Sequence, residues 1–258
     1  MSDVESATFN IIDGTSVSDE QLEASAQLFS DHYGVWDPSF KPNARVRMTL
    51  RKLRQECLSD PDRTVLVTCS IGDNLIGQAF AATWKVGEDI VGWITQLVVH
   101  RDYRRRRIAT CLLQRVRSHR LFSSVTIIGV TSTHPATCNA VASLAGKLVE
   151  LVLRSDKLKD TLRIGTPIGE VDLEFIREHG PSILSVSPVR YVQSAKQRGA
   201  LFQDCPDEGV ISTLDTDFPV DHGEPEAALE TYINSGRWRL GKLPQRHEYL
   251  LILPMNPH

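Results

Sequence analysis

Val98 to Gln114 reads VVHRDYRRRRIATCLLQ, with four consecutive arginines, Arg104 to Arg107, between an apolar strand-like run and an apolar helix-like run. The order strand, short basic loop, helix has a physical consequence. The first amides of a helix lack acceptors within it, and its dipole adds about half a positive charge at that end. Successive amides ahead of a helix therefore make a ready anion site, and neighbouring arginines add fork-shaped donors that suit a pyrophosphate. An arginine run can also coat a polyanion or act as an address. The formal net charge of the 258 residues is −3, so any affinity for anions must be local.

The strand side of the motif belongs to a longer pattern. TVLVTCSI from Thr64 alternates and stops at Gly72-Asp73-Asn74; LIGQAFAATWKV follows and stops at Gly87-Glu88-Asp89; DIVGWITQLVV comes next. Three strands joined by short turns predict an antiparallel meander. Before it, Thr8 to Ile12 predicts a strand. Ser18 with Gln21 forms a capping-box pattern opening a helix to about Tyr33, and a second helix is expected over about Ala44 to Cys57. After the arginines, Ala109, Leu112, Leu113 and Val116 make a helical stripe. SVTIIGVTS is a further strand, and HPATCNAVASLAGKLVELVL reads as one helix or two in tandem.

The later chain carries weaker signals. Glu170 to His179 predicts a short helix, SILSVSPVRYVQ looks partly extended, and Pro225 to Ser235 looks helical. EYLLIL is a continuous apolar strand that needs burial on both faces. The charged stretch Arg154 to Lys159 is the best candidate boundary. The expectation is nevertheless a single domain over 1–258, with a core at about 8–153 and an extension from about 154 that returns its last strand to the sheet. The five cysteines are scattered without a CxxC, which fits reduced thiols. The opening MSDVESATFNII lacks the pattern of a secretory leader, and no run is long enough to span a bilayer. The expected setting is the cytosol, with the nucleus also open to it, and no membrane partner.

VVHRDYRRRRIATCLL resembles the acetyl-coenzyme A loop of the GCN5-related N-acetyltransferases, the GNAT family. Their loop, Arg/Gln-x-x-Gly-x-Gly/Ala, follows the fourth strand and opens the third helix. Arg104 stands at its first position and Ala109 at its last, while Arg107 replaces the central glycine. The preceding Val99, Tyr103 and Arg104 match the family's Val-x-Pro-x-Tyr-Arg habit, with Arg101 where proline is common. Helix, helix, meander, loop-helix, strand, helix is the GNAT order, and it covers about Thr8 to Leu153. SPVRYVQSAKQRGALF, DFPVDHGEP and RHEYLLIL also resemble the tail of a fungal branch of GNAT-like proteins. The fold class implied is α/β, an α+β mixed sheet of GNAT type with an extended C-terminal region.

The resemblance implies a function. A GNAT protein moves an acetyl group from acetyl-CoA, as cosubstrate, directly to an amine. Here Arg104, Arg105, Arg106, Arg107, Ile108, Ala109 and Thr110 would hold the pyrophosphate. The backbone of Leu97, Val98 and Val99 would pair with the pantetheine as an added strand and supply an oxyanion donor. Asn139 stands where the family often has a cofactor contact. The amine must lose a proton, yet the fourth strand offers only Thr95 and Gln96, with Asp89 at its far start. His134 and Tyr191 are the candidates for acid–base work, and Cys138 a lesser one. The usual tyrosine two turns after the asparagine has no counterpart in Leu144-Ala145-Gly146-Lys147.

The acceptor can be a small molecule or a protein amine, and the long C-terminal region favours the small molecule. The acidic residues Asp207, Glu208, Asp215, Asp217 and Asp221 could receive a cationic amine. His222 with Glu224, and His247 with Glu248, match no standard metal spacing, so no metal is expected. Two alternatives stay open: a catalytically weak acyl-CoA-binding module, suggested by Arg107 and the missing base, and a nucleic-acid binder using the arginine run. The latter has little aromatic interleaving to support it. The enzymatic reading requires that the amides after the fourth strand be free and that the space beside them be open.

Overall fold

The computed structural model describes residues 6–145, 148–149, 162–163, 167–202 and 208–255. Strand β1 (Thr8–Asp13) leads to helix α1 (Asp19–His32). The expected capping box is present: the Ser18 hydroxyl accepts from the Gln21 amide at 3.3 Å, and the Gln21 side chain accepts from the Ser18 amide at 2.9 Å. Helix α2 covers only Leu50–Cys57, shorter than the Ala44 start read from periodicity. Residues before it are extended. Val35 bridges Arg45, the Trp36 amide donates to Ala44 O and the Val46 amide to Gly34 O. These backbone bonds win over helix propensity until Thr49 caps the helix by accepting from the Lys52 amide.

The meander follows as β2 (Thr64–Ile71), β3 (Asn74–Val86) and β4 (Asp89–Val99). Then come helix α3 (Ile108–Ser118), β5 (Ile127–Ser132) and α4 (Pro135–Ala145). The long helical reading from His134 stops at Ala145. Leu148–Val149 instead forms β6, paired with β7 (Leu162–Arg163). The Arg154–Lys159 boundary lies outside the described residues. Helix α5 runs Leu173–Ser185, α6 Arg190–Ser194, and β8 is Lys196–Arg198. The extended reading of SILSVSPVRYVQ is therefore corrected to helix at both ends. Asp172 caps α5 by accepting from the Glu174 and Phe175 amides, which sets its start at Leu173 rather than Glu170, and the helix runs past His179 to Ser185. Strand β9 (Thr213–Asp215), helix α7 (Gly223–Asn234) and β10 (His247–Pro254) complete the chain.

An eight-stranded sheet has the order β1-β2-β3-β4-β5-β10-β9-β8. Its only parallel pair among these neighbours is β4 with β5. The architecture is mixed α/β with an open mixed sheet. Helices α3 and α4 cover one face; α1, α2 and α5 cover the other. The last strand is central, as its apolar run requires, with β5 on one side and β9 on the other.

Packing on the α1 face leaves no room beside β5. A Cβ at Gly129 would stand 2.2 Å from Trp93 Cζ3, because the buried Trp93 ring lies across the neighbouring strand. Gly129→Ala should destabilise the fold by about 3 kcal/mol, the upper part of the overpacking range. Chemical denaturation checks this, and an unchanged midpoint would show that Trp93 can swing away.

Candidate functional site

Two neighbouring strands part company at the middle of the sheet. Strands β4 and β5 pair from Val91 with Ile127 to Ile94 with Val130, and no further. On its other side β4 stays paired to β3 up to Val99 with Gly77. The divergence coincides with a bulge. Ala81 pairs with Ile94 but Phe80 with Gln96, so Thr95 is an extra residue that bends β4 away. Beyond it, among the described residues, Leu97 to Val99 have a strand partner on one side only.

At the end of β4 the chain turns into α3 through the arginine run. Arg107 sits at the N-cap with φ 64° and ψ 9°, and Arg105 has φ 61°. Both are left-handed. The position where the related loop has glycine therefore keeps the glycine-like conformation while carrying a side chain. No side chain caps α3, and among the described residues the Ile108, Ala109 and Thr110 amides find no acceptor. The side chains of Arg105, Arg106 and Arg107 are exposed. Arg106 lies over the Tyr103 ring. The turn thus presents unpaired amides and three outward cations, a fit for a diphosphate.

Arg104 is placed differently. Its Nε donates to Val99 O at 3.3 Å, and its terminal nitrogens reach His32 O and the Glu224 carboxylate. Its guanidinium is committed to the protein. His134 lies across the gap, half-buried at the start of α4. Its Nδ1 accepts from the Ala136 amide at 3.1 Å, which leaves Nε2 as the protonated nitrogen of the neutral ring, 3.9 Å from Glu224 Oε1. Burial holds its pKa below the ordinary value, with Glu224 opposing. Asn139 is half-buried on α4, next to Ala140, which faces Thr110 of α3 across a small cleft of about 10 Å³. Burial pushes the Cys138 thiol up. Tyr191, on α6, is brought to the divergence itself, where its hydroxyl donates to Thr95 O at 3.1 Å.

A feature that sequence reasoning missed spans the open end of the gap. Residues 216–224 run as a strap from β9 to α7. Val220 bridges Trp36, the Asp37 amide donates to Pro219 O and the Asp221 amide to Val35 O. Val220 packs against Val98, Leu28 and Phe29, and Phe218 lies 6.1 Å from the Tyr33 ring. Glu224 then meets Arg104 and His134. Of the two conditions for the enzymatic reading, the amides are free, but the strap fills the space beside Val98 in this conformation.

Polar groups gather at the vertex of the gap, on the α1 face. Continuing the register past Ile94 and Val130 places Thr95 beside Thr131. Both hydroxyls are buried without a hydrogen-bond partner. Continuing β5 and β10 past Ser132 and Tyr249 places Thr133 beside Glu248, which is only 7% exposed. Burial drives the Glu248 carboxyl up to about 7. Burial, and after it the Glu248 charge, raises the half-buried phenols of Tyr33 and Tyr191. No ion pair involves Glu248 among the described residues. The signal for it was available: a carboxylate leads a strand predicted to be buried on both faces.

Residues 27–141, somewhat less than half of the chain, match the model of the Acetyltransferase (GNAT) family. No curated protein matches the chain. Among solved structures it is similar to an aminoglycoside acetyltransferase, meta-AAC0020, from an uncultured soil metagenomic sample, at 11% identity and TM-score 0.41, covering 60% of this chain and 98% of that one. It is also similar to the NatC complex bound to Gag peptide and CoA, at 15% identity and TM-score 0.41, covering 56% and 86%. The ribosomal-protein-S18-alanine N-acetyltransferase of Escherichia coli is similar at 12% identity and TM-score 0.38, covering 60% and 88%. Among the described residues no group of His, Cys, Asp and Glu could hold a metal, and no helix is long and apolar enough to cross a membrane.

Two predictions follow from local physics. Arg107→Gly should raise stability by about 1 kcal/mol, since the left-handed backbone no longer carries a Cβ; a lower midpoint in urea would refute it. Glu248 binds its proton more tightly folded than unfolded, so it costs stability as pH rises from about 5 through about 7. Glu248→Gln should therefore melt above wild type at pH 8 and level with it at pH 4.5. Parallel melting curves at both values would show that the carboxyl is solvated.

Proposed function

We propose that the protein is an acetyl-CoA-dependent N-acetyltransferase that moves an acetyl group to an amine. The observation that carries this reading is the row of unpaired amides at Ile108, Ala109 and Thr110, behind a loop with glycine-like geometry at Arg105 and Arg107. Those amides, with the side chains of Arg105, Arg106 and Arg107, would hold the diphosphate. The free edge of β4 at Leu97 to Val99 would take the pantetheine as an added strand and turn an amide toward the developing oxyanion. Asn139 would contact the carrier from α4. Acetyl-CoA supplies the activated acyl group; the chain positions it and manages the protons. His134 offers an N–H at the cofactor side, and Tyr191 an O–H at the vertex.

Arg104 has a supporting part in this reading: it fixes the end of β4 to α1 and, through Glu224, to the strap. Binding of the carrier then requires the strap to withdraw from Val98. A second reading has its own observation. Val220 and Glu224 already fill the gap, as they would in a domain that keeps the fold and has given up turnover. The region from about 154 to 258 belongs to the same functional unit in both readings, since it supplies β10 and the strap. Acceptors of either size, a small-molecule amine or a protein amine, fit the reaction; the strap over the gap favours the small molecule.

Thermal shift with acetyl-CoA, CoA and ATP separates the readings when combined with acetyl transfer to a panel of amines. Acetyl-CoA and CoA should stabilise the protein and ATP should not. Glu224→Ala should tighten acetyl-CoA binding about two- to five-fold, because an exposed ion pair holds the strap by less than about 1 kcal/mol. Stabilisation without turnover of any amine would favour the silent module. Absence of a shift with any CoA species, in wild type and Glu224→Ala alike, would remove the CoA reading altogether.

A further inference from the structure

The vertex of the gap holds polar groups that the fold itself does not use. Thr95 and Thr131 are the residues that follow the last β4–β5 pair, Ile94 with Val130, and among the described residues neither hydroxyl has a hydrogen-bond partner. Thr131 is 8% exposed. Buried polar atoms are nearly always hydrogen-bonded, and a pair of orphans at one spot calls for an explanation. Next to them stand Tyr191, Tyr33, Thr133 and the buried carboxylate of Glu248. Around Glu248 the ionisable neighbours are Glu56 from α2, Tyr33 after α1 and Tyr191 from α6, with Cys138 of α4 on the opposite face. On the strap, the Thr216 hydroxyl donates to Arg246 O at 3.4 Å, two residues before Glu248. Glu56 has Lys52 at 3.6 Å; among the described residues no cation stands against Glu248. A buried anion without a cation, beside unpaired hydroxyls, is a site shaped for a small cation that also donates hydrogen bonds. A primary ammonium group has those properties.

We propose that the vertex of the gap is the acceptor-amine site and that the Glu248 carboxylate takes the proton from the incoming primary ammonium. This deepens the acetyltransferase reading and rests on it. In the step, an ammonium N–H bond breaks and a carboxyl O–H bond forms, which frees the nitrogen lone pair. The nitrogen attacks the thioester carbonyl, an N–C bond forms and the C–S bond breaks. The second proton of the nitrogen passes to the departing thiolate, giving amide and thiol. Thr95 and Thr131 accept from the amine and orient it. The raised affinity of Glu248 for its proton suits the task, since a base matched to neutral pH transfers protons with least loss. The strap reaches this site as well as the carrier site, through Phe218 at Tyr33.

The test compares wild type, Glu248→Gln and Glu248→Asp as full-length chains. The measurements are acetyl-CoA thermal shift and acetyl transfer from pH 5.5 to 9, with an alkyl primary amine and an arylamine that is neutral throughout. Wild-type kcat/KM for the alkylamine should rise through a midpoint near 7. Glu248→Gln should keep the acetyl-CoA shift, lose about 100-fold in rate and lose that midpoint. Its deficit should shrink for the arylamine, which has no ammonium proton to give up. A merely structural role would slow both amines alike. If the glutamine variant does not fold, Glu248→Asp should show a lower rate with a displaced midpoint. A variant that retains the shift, the rate and the pH profile overturns this assignment alone. Loss of any acetyl-CoA shift in wild type overturns the acetyltransferase reading with it.

Discussion

Everything in the site depends on the separation of two parallel strands. A central strand normally satisfies its backbone on both sides. At Thr95 one extra residue enters β4, and from there its amides and carbonyls on the β5 side are released. Such a strip of unpaired backbone inside a sheet has to be met by something: water, a ligand or another part of the chain. In this protein Arg104 meets Val99 O, Tyr191 meets Thr95 O and the strap packs on Val98. The bulge thus creates the opening, supplies its hydrogen-bonding edge and fixes where the later chain must pass.

The arginine run shows a second constraint acting against local preference. Two residues with bulky side chains hold left-handed conformations at Arg105 and Arg107, each at a cost of roughly 1–2 kcal/mol. The cost falls where it exposes the α3 amides and aims cations outward, and strain of this kind persists where the surrounding structure over-determines it. Glycine would allow the turn more cheaply but would remove a charge from the loop. The choice of arginine trades backbone ease for local positive potential in a chain whose overall charge is −3.

Periodicity and turn chemistry were sufficient for the meander, for the Ser18 cap and for the central place of EYLLIL, because each depends on residues close in sequence. The start of α2 was misplaced because Ala44 and Val46 exchange backbone bonds with Trp36 and Gly34, a contact no helical stripe announces. The helix from His134 was read too long because Leu148 and Val149 carry the same apolar character in a strand as in a helix. The loop conformation at Arg107 was legible as a requirement of its position. The commitment of Arg104 to His32 and Glu224 was not, since its partners are 72 and 120 residues away. Glu248, Thr95 and Thr131 are separated in sequence and become neighbours only through strand order, so their chemistry emerges from topology.

The strap also shows which forces matter in closing the gap. Its most visible contact is Arg104 with Glu224, but the carboxylate is largely exposed, and such pairs contribute about 0–1 kcal/mol. Val220 is 3% exposed against Val98, Leu28 and Phe29, and burying a valine contributes about 1.5–3 kcal/mol. Phe218 between Tyr33 and Trp36 adds aromatic packing. Apolar burial therefore dominates, and the ion pair sets register rather than strength. A ligand that displaced the strap would have to replace this apolar contact with one of its own. An alkyl chain lying along Val98 does so, whereas a purely polar molecule leaves the valines to water. The gap therefore discriminates by the same contact that closes it.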